Sequence, residues 1–314
     1  MIRTVRGDIA PEKLGWCQCH EHLFLEKGRS YEINSALCMD DIKRSVDELK
    51  AYAKAGGSTY VDAQPVGCGR MAEVMAGASE GSGVNIISST GFHKTCFYDD
   101  ESFIFSASEF YLTELFISEI KEGMLSSRRD GERRLDAKAG IIKVAVDKGG
   151  IYANKVYEKL FCAAVTAAKE TGAAMLAHFE PDTDAFELLK LLEKGSIGAQ
   201  RLIACHLDRA RYDIGYHKEL AESGIYLEYD TINRPNYHDN NKEIKLIVKM
   251  IAAGLKNRLL FSLDTTNKRL RSYGADMGLD YILTDFSTQL ENAGVGKDVL
   301  EQIMIHNAAN AISI

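Results

Sequence analysis

The sequence lacks any apolar run long enough to cross a membrane as a helix, which takes about 18 residues or more. It also lacks an excess of positive charge, since 38 Lys and Arg residues stand against 45 Asp and Glu residues and the formal net charge is −7. A general nucleic-acid or membrane-surface role needs a basic surface, so neither class of partner is expected. The first residues do not have the apolar core of a secretion signal.

A disulfide framework is absent too. The seven cysteines are an odd number and are scattered without framework spacing, so we expect reduced thiols in a cytoplasmic protein. A chain of 314 residues needs no cross-links, because a compact fold of this size buries roughly three quarters of its extended-chain surface. We find no low-complexity linker and expect one domain over residues 1–314, with a lead-in segment over residues 1–16. The oligomeric state is not decided, and a homodimer is compatible with the sequence.

Short apolar segments that predict buried strands alternate with segments of helical spacing. Eight such strands predict an α/β fold of the (β/α)8 TIM-barrel type, and a doubly wound open sheet is the alternative because it uses the same alternation. The predicted strands are Cys17–His22, Thr59–Ala63, Asn85–Thr90, Gly140–Val146, Ala173–His178, Leu202–His206, Ile225–Tyr229 and Leu259–Leu263. The predicted helices include Asp40–Ala55, Asn154–Thr171, Ala185–Lys194, Lys242–Ala253 and Tyr281–Ala293.

Two imidazoles lie in the first predicted strand, at His20 and His22. Because strand side chains alternate, both are expected on one face, about 7 Å apart, where they can chelate a single ion. Cys17 and Cys19 are then expected on the opposite face, against the helices of a barrel. The pair of histidines alone is equally compatible with a structural or surface role.

Lys143 lies in the middle of the apolar strand Gly140–Val146. A buried ammonium is costly unless it is neutralised, paired or bound to a metal. One interpretation is a side chain that extends to the strand end. The other is a lysine with a lowered pKa that reacts with carbon dioxide, since the resulting carbamate is an anionic ligand able to bridge two metals.

Three more strands end in a metal-binding residue: His178, His206 and Asp264. In a barrel the carboxyl ends of the strands meet at one mouth, which is where barrel enzymes carry their catalytic groups. Four His, one Asp and one carbamylated Lys supply six protein ligands, enough for two divalent ions with open positions. The sequence therefore predicts a binuclear metal centre.

The order of these pieces resembles the phosphotriesterase-like lactonase branch of the amidohydrolase superfamily along essentially the whole chain. The matching segments are Thr4–Asp8, Gly15, His20–His22, Val61-Asp62, Thr90–Phe92, Gly140–Lys143, His178, His206 and Asp264. The resemblance implies a distorted (β/α)8 barrel, a binuclear zinc-type centre (with manganese or cobalt as alternatives) and hydrolysis of esters. It implies that His20, His22 and Asp264 hold the more buried metal. It further implies that His178 and His206 hold the more exposed metal, and that carbamylated Lys143 and a hydroxide bridge both.

Two departures from the family pattern concern the substrate pocket. Phe179, Glu180 and Pro181 follow His178, where small hydroxyl residues are common, and the loop after Asp264 is unusually basic. The segment Gly67–Ala72 is similar to a dinucleotide-binding fingerprint, but the next strand ends in Ser88-Ser89-Thr90 without the required acid, so nucleotide binding is not expected.

The basic loops suggest an anionic substrate, because barrel enzymes often bind phosphate after strands seven and eight. Lys268, Arg271 and Tyr273 are predicted to hold a phosphate, with Arg234 as a further substrate-binding residue. Tyr98 lies where related lactonases place a tyrosine near the substrate carbonyl.

The function predicted from these observations is the opening of a lactone, specifically a phosphorylated sugar lactone, with Asp264 as the residue that moves the proton. Hydrolysis of organophosphates or other carboxylesters on the same centre is the first alternative. A mononuclear deaminase is disfavoured by Lys143, and a catalytically silent ligand-binding barrel is the alternative of another class.

Overall fold

The computed structural model describes residues 1–126 and 133–314. A sheet of eight parallel strands forms its centre, and each strand is hydrogen-bonded to the next one in chain order. A short antiparallel hairpin precedes this sheet. The strands are β1 (Ile2–Thr4), β2 (Gly7–Ile9), β3 (Trp16–Glu21), β4 (Gly57–Asp62), β5 (Asn85–Gly91), β6 (Ala139–Val146), β7 (Met175–Phe179), β8 (Leu202–Cys205), β9 (Tyr226–Tyr229) and β10 (Leu259–Phe261).

Side chains connect the last strand to the first. β10 has only three residues and makes no ladder with β3. Instead the buried Glu21 carboxylate accepts hydrogen bonds from the backbone N–H groups of Leu263 (2.7 Å) and Thr265 (3.0 Å). Ser262 Oγ accepts the His20 N–H at 2.9 Å. The sheet is thereby nearly closed into a barrel, and the end of β10 is held beside His20.

The sequential strand order confirms the (β/α)8 barrel, because a doubly wound sheet reverses its strand order at a switch point. Helices surround the sheet, and none within residues 1–126 and 133–314 is long and apolar enough to cross a membrane. They are α1 (Arg29–Ile33), α2 (Ile42–Lys54), α3 (Ala72–Ser82), α4 (Phe103–Ser106), α5 (Glu109–Lys121), α6 (Lys155–Thr171), α7 (Ala185–Lys194), α8 (Leu207–Ala210), α9 (Ile214–Glu222), α10 (Asn240–Ala252), α11 (Ser287–Asn292), α12 (Lys297–Glu301) and α13 (Ala308–Ile312), with wider helical turns at Ile282–Phe286 and Gln302–Asn307.

Helix α6 shows why the sequence pattern located the long helices well. The Asn154 side chain accepts hydrogen bonds from the N–H groups of Val156 and Tyr157, which otherwise have no partner at a helix start. Gly172 ends the helix with φ of 73°, a left-handed conformation that glycine adopts without strain. The predicted and observed ends of this helix therefore agree within one residue.

The interior of the barrel has an apolar layer below a polar one. β6 directs Ile141 and then Lys143 inward, and β7 directs Leu176 and then His178 inward, as the two-residue period of a strand requires. The apolar residues pack together at the amino-terminal side of the strands. The polar residues follow them toward the carboxyl ends, so the buried core supports a group of side chains that carry chemistry.

The prediction that Cys17 and Cys19 face the helices is wrong. Both pack with the apolar residues of the barrel interior, and their sulfur atoms are 3.9 Å apart. Strand β3 has one residue more than β4 between Gln18 and Glu21, which is a β-bulge. The extra residue breaks the strict alternation, so Cys19 and His20 are both directed to the interior.

Candidate metal centre

All six predicted metal ligands lie at the mouth formed by the carboxyl ends of the barrel strands. Each is buried except Asp264, whose side chain is 14% exposed. The short segments after β8 and β10 place two of them through left-handed backbone, with φ of 65° at His206 and 49° at Asp264. Such conformations are unfavourable for residues other than glycine and are concentrated at functional sites.

The first group of donors consists of His20, His22 and Asp264. Asp264 Oδ1 is 3.5 Å from His22 Nε2 and 3.9 Å from His20 Nε2. Lys143 Nζ lies 3.0 Å from His20 Nε2. Four side chains thus converge on the same point, three at the ends of the first and last barrel strands and the fourth, Lys143, from a strand between them.

The second group consists of His178 and His206, whose Nδ1 and Nε2 atoms face each other at 2.8 Å. The two rings are nearly perpendicular, with their centroids 4.4 Å apart. The imidazole of His20 connects both groups, since its centroid is 4.8 Å from that of His206. All four imidazoles are therefore neighbours.

A carboxylate that the sequence reasoning missed lies behind these rings. Asp230 Oδ2 is 2.9 Å from His20 Nδ1, and Asp230 Oδ1 is 2.7 Å from His206 Nδ1. Each Nδ1 then carries the proton, and the lone pair of each Nε2 points toward the centre, which is the usual role of a carboxylate behind a metal-binding histidine. The alternation of β9 was the available signal, because Glu228 and Asp230 follow the interior residue Tyr226 at two-residue steps.

The protonation of these groups suits cation binding. Burial, and next the nearby Lys143, lower the pKa of His20 to about 4, and burial lowers the pKa of His178 to about 4. Both rings are therefore neutral at pH 7 with a lone pair available. Burial also lowers the pKa of Lys143, which is 0% exposed and, within residues 1–126 and 133–314, has one hydrogen-bonding partner for its amine, His20.

These observations test whether the residues fit a metal centre. His178 Nδ1 and His206 Nε2 face each other at 2.8 Å, while the other nitrogen of each ring faces a carboxylate, Glu180 for His178 and Asp230 for His206. If each carboxylate takes the ring proton, two lone pairs face each other, which a bound cation between them would stabilise. Imidazole and carboxylate are common ligands of zinc and similar divalent ions. The residues fit two such ions, provided that Lys143 is converted to an anion.

Glu180 explains one departure from the family pattern. Its Oε1 atom is 3.0 Å from His178 Nε2 and 2.7 Å from Lys94 Nζ. The hydrogen bond with His178, and next the one from Lys94, keep the pKa of Glu180 well below its ordinary value. Glu180 thus orients His178 as Asp230 orients the other two rings, and it neutralises Lys94.

Arg234 holds the second oxygen of Asp264. Arg234 Nη1 donates to Asp264 Oδ2 at 2.7 Å, and Nη2 donates to the Asp264 carbonyl oxygen. Burial alone would raise the pKa of Asp264, but the Arg234 guanidinium and the hydrogen bond with His22 bring it well below the ordinary value. Arg234, which we expected to bind substrate, is therefore positioned on a predicted metal ligand.

A cavity of about 270 Å³, slightly smaller than most ligand sites, is lined by five of the six predicted ligands, all but Lys143. His93 is a fifth imidazole in its wall, and the Nδ1 atom of His93 accepts the Lys94 N–H at 2.7 Å. The other lining residues beside the ligands include Leu25, Ile33, Leu37, Gln64, Phe97, Glu180, Arg209, Arg234, Tyr237 and Thr266.

Four residues that were predicted to act on or bind the substrate are not in this wall. Tyr98 is 2% exposed and its hydroxyl already accepts the His93 N–H at 3.1 Å, so it packs behind the cavity. Arg271 pairs with Asp280 at the surface, and the Tyr273 hydroxyl is bonded to Ser45 Oγ and to the Asp41 carbonyl. Lys268 is exposed on an outer groove beside Arg269. The structure thus does not bring the predicted phosphate clamp together over the metal ligands.

Comparison with known proteins agrees with the barrel fold. The sequence profile of the phosphotriesterase family matches residues 1–312. A phospho-furanose lactonase of Mycoplasmopsis synoviae is 30% identical over 99% of this chain and 91% of its own length. The crystal structure of a lactonase from Listeria monocytogenes matches with a TM-score of 0.90 and 27% identity, over 99% of this chain and 98% of that one.

The phosphotriesterase homology protein of Escherichia coli, crystallised with phosphate in its active site, has a TM-score of 0.85 and 25% identity. The match covers 96% of this chain and 99% of that one. With a profile match over nearly its whole length and a relative at 30% identity, the chain belongs to the phosphotriesterase family.

Proposed function

We propose that this protein is a hydrolase that depends on two divalent metal ions and opens a lactone. The observation that carries the proposal is the convergence of four imidazoles, Lys143 and Asp264 at the mouth of the barrel, with Asp230 fixing two of the rings from behind. The name of the 30% identical relative, a phospho-furanose lactonase, supports the reaction class.

In this proposal His20, His22 and Asp264 hold one ion and His178 and His206 hold the other. Lys143 would supply an anionic ligand to this centre after its uncharged amine nitrogen attacks the carbon of carbon dioxide and loses a proton to solvent, which leaves a carbamate. Zinc is the ion that we favour, with manganese or cobalt as alternatives. When bound, the two ions polarise the ester carbonyl and lower the pKa of a water molecule.

The residues of the chain supply orientation and proton transfer. An attacking water oxygen forms a bond to the carbonyl carbon, the bond to the ring oxygen breaks, and a hydroxy acid results. We propose that Asp264 accepts the proton of the attacking water and donates it to the departing ring oxygen, as a general base and then a general acid. Arg234, on Oδ2, keeps this carboxylate ionised before the reaction begins.

The substrate that we propose is a small phosphorylated sugar lactone. A cavity of about 270 Å³ suits a small substrate, and the cations Lys94, Arg209 and Arg234 lie in its wall. Because Lys268 is exposed and Arg271 and Tyr273 bind other residues, the anionic group is more simply placed inside the cavity than at that loop.

The decisive experiment is hydrolysis of a panel of phosphorylated and neutral sugar lactones by protein loaded with zinc, manganese or cobalt. We expect turnover of lactones and little of a phosphotriester. Turnover of phosphotriesters alone would favour the organophosphate alternative. Metal-loaded protein that binds lactones without opening them would favour a silent ligand-binding barrel.

The same proposal includes a cytoplasmic location, which the seven unpaired thiols support. A small molecule is the proposed partner, and a homodimer is compatible with the fold.

A further inference from the structure

Arg209 differs from the other two cations in the wall of the cavity. Lys94 lies 2.7 Å from the Glu180 carboxylate, and Arg234 lies 2.7 Å from that of Asp264. Three Lys or Arg side chains line the cavity within the described part of the chain, and of these three only Arg209 has no carboxylate at ion-pair distance. The cavity therefore contains one guanidinium whose charge is not matched by direct contact.

The guanidinium of Arg209 is nevertheless held in place. Nη1 donates to the Tyr237 hydroxyl at 2.6 Å, and the guanidinium carbon lies 4.8 Å from the centre of the Tyr237 ring. The Nε atom is buried and has no hydrogen-bond partner among the residues that the structure describes. A buried donor without a partner is unfavourable. The side chain is therefore fixed in direction by Tyr237, while the described residues leave part of its donor capacity unused.

The position of Arg209 relates this acceptor to the metal ligands. Arg209 lies in the short helix α8, three residues after His206. Its backbone N–H bonds to Asp208 Oδ1 and to the His206 carbonyl, so the side chain starts from a fixed turn next to the second group of metal ligands. A substituent bound to Arg209 would therefore lie on the His206 side of the cavity.

We infer that Arg209 binds an anionic oxygen group of the substrate, a phosphate or a carboxylate remote from the ester that is hydrolysed. A guanidinium fork with free donors recognises both groups through charge-assisted hydrogen bonds. The inference rests on the proposed lactonase function and adds to it the residue that selects a charged substrate. It replaces the outer loop with Lys268, Arg271 and Tyr273 as the site of anion recognition.

The test compares three lactones that share one ring and carry a phosphate, a carboxylate or a neutral hydroxyl substituent. We measure kcat/KM of the metal-loaded enzyme on each, for the wild type and for Arg209→Ala. The ratio of kcat/KM for an anionic lactone to that for the neutral one should fall about 10- to 150-fold in the variant. That range corresponds to one charged hydrogen bond of about 1.5–3 kcal/mol at 1.36 kcal/mol per tenfold.

Further variants separate recognition from structure. Arg209→Lys keeps the charge but loses the forked donors of the guanidinium, so the ratio should fall less than in Arg209→Ala. Guanidinium added to the Arg209→Ala variant should restore part of the ratio. Arg211→Ala is the matched control, since Arg211 is exposed and packs over Tyr216, outside the cavity wall. It removes the same charge two residues away and should leave the ratio unchanged. Unfolding temperatures of all variants check that the fold is retained.

Comparison of kcat/KM on the phosphate-bearing and carboxylate-bearing lactones identifies which anionic group the enzyme prefers. Equal losses by Arg209→Ala on charged and neutral lactones would overturn the inference and leave the proposed function standing. The inference would also be overturned if the ratio of kcat/KM for anionic to neutral lactones collapsed in Arg271→Ala but not in Arg209→Ala. If the wild type opens none of the three lactones, the proposed function fails, and the inference fails with it.

Discussion

Asp230 binds His20 and His206 at the same time, with one carboxylate oxygen at 2.9 Å from the first Nδ1 and the other at 2.7 Å from the second. The two rings belong to different groups of predicted metal ligands. A single buried carboxylate directly after β9 therefore sets the tautomer and the orientation of one histidine in each group, which makes it a structural link between the two proposed ions.

Asp230→Asn should weaken metal binding about 10- to 100-fold, the usual effect of removing a carboxylate behind a metal-binding histidine. The amide can accept a proton from only one ring, and its NH2 group must face the other, which forces that ring into the wrong tautomer. Competition with a chelator measures the affinity. Glu228→Gln is the control, because Glu228 is equally buried two residues earlier, in β9, but contacts Ser262 instead of a histidine. Equal affinities in both variants would contradict the role of Asp230.

Lys143 should carry a carbon dioxide adduct when metals are bound. Lys143→Ala should lower metal affinity by more than about 100-fold, beyond the effect of a residue that only supports a ligand. Added short carboxylates should restore part of the metal content, since they supply the missing anion. A carbamate carbon resonance in protein loaded in the presence of carbon-13 bicarbonate would show the adduct directly. Metal-replete protein in which Lys143 remains an unmodified amine would contradict this prediction.

The sequence was sufficient to predict the barrel and the six candidate ligands because both follow from local periodicity. Strands of alternating side chains end in His178 and His206, and the parallel arrangement brings all strand ends to one mouth. Helix ends were also predictable where a cap was visible, as at Asn154 and Gly172. These features depend on residues close together in the chain.

Features that depend on pairs distant in the chain were missed. The β-bulge at Cys19 depends on the register with β4, and the partners of Asp230 lie 24 and 210 residues away. The loop with Lys268 and Arg271 was predicted to bind phosphate because the sequence shows a cluster of basic residues but not where each side chain points. Arg271 reaches the surface carboxylate of Asp280, whereas Arg209, in a less basic segment, reaches the cavity.

The segment that is similar to a nucleotide-binding fingerprint contains a residue with a different role. Arg70 is 1% exposed and forms two parallel hydrogen bonds of 2.8 and 2.6 Å with the carboxylate of Glu119, which is 0% exposed. Arg70 also donates to the carbonyl oxygens of Ser89 and Leu125. This pair fastens the loop after β4 to helix α5.

Breaking this ion pair should be strongly destabilising. Glu119→Ala leaves a buried guanidinium without its counter-ion, and we expect the free energy of unfolding to fall by about 3–5 kcal/mol. Replacing both partners, Arg70→Met with Glu119→Leu, should cost clearly less than the sum of the two single changes, because neither charge is then left unpaired. Denaturant unfolding of Arg70→Met, Glu119→Leu and the double variant that combines them gives the coupling energy. Additive losses would show that the two side chains act independently.

Removing the Arg234 guanidinium should move the acid limb of kcat/KM to higher pH. Asp264 must be ionised to accept a proton, and the pKa of its carboxyl is held below the ordinary value chiefly by the charge of Arg234, against the opposite effect of burial. In Arg234→Gln that charge is lost, so the pKa of Asp264 rises and the carboxyl becomes protonated at a pH where the wild type is still ionised. Activity on a neutral lactone should then fall earlier as the pH decreases and stay closer to that of the wild type at high pH. Lys268→Gln is the matched control, since it removes one exposed charge from the segment after Asp264 without touching the carboxylate. A limb that stays in place in Arg234→Gln, or that moves to lower pH, would mean that another group governs proton transfer.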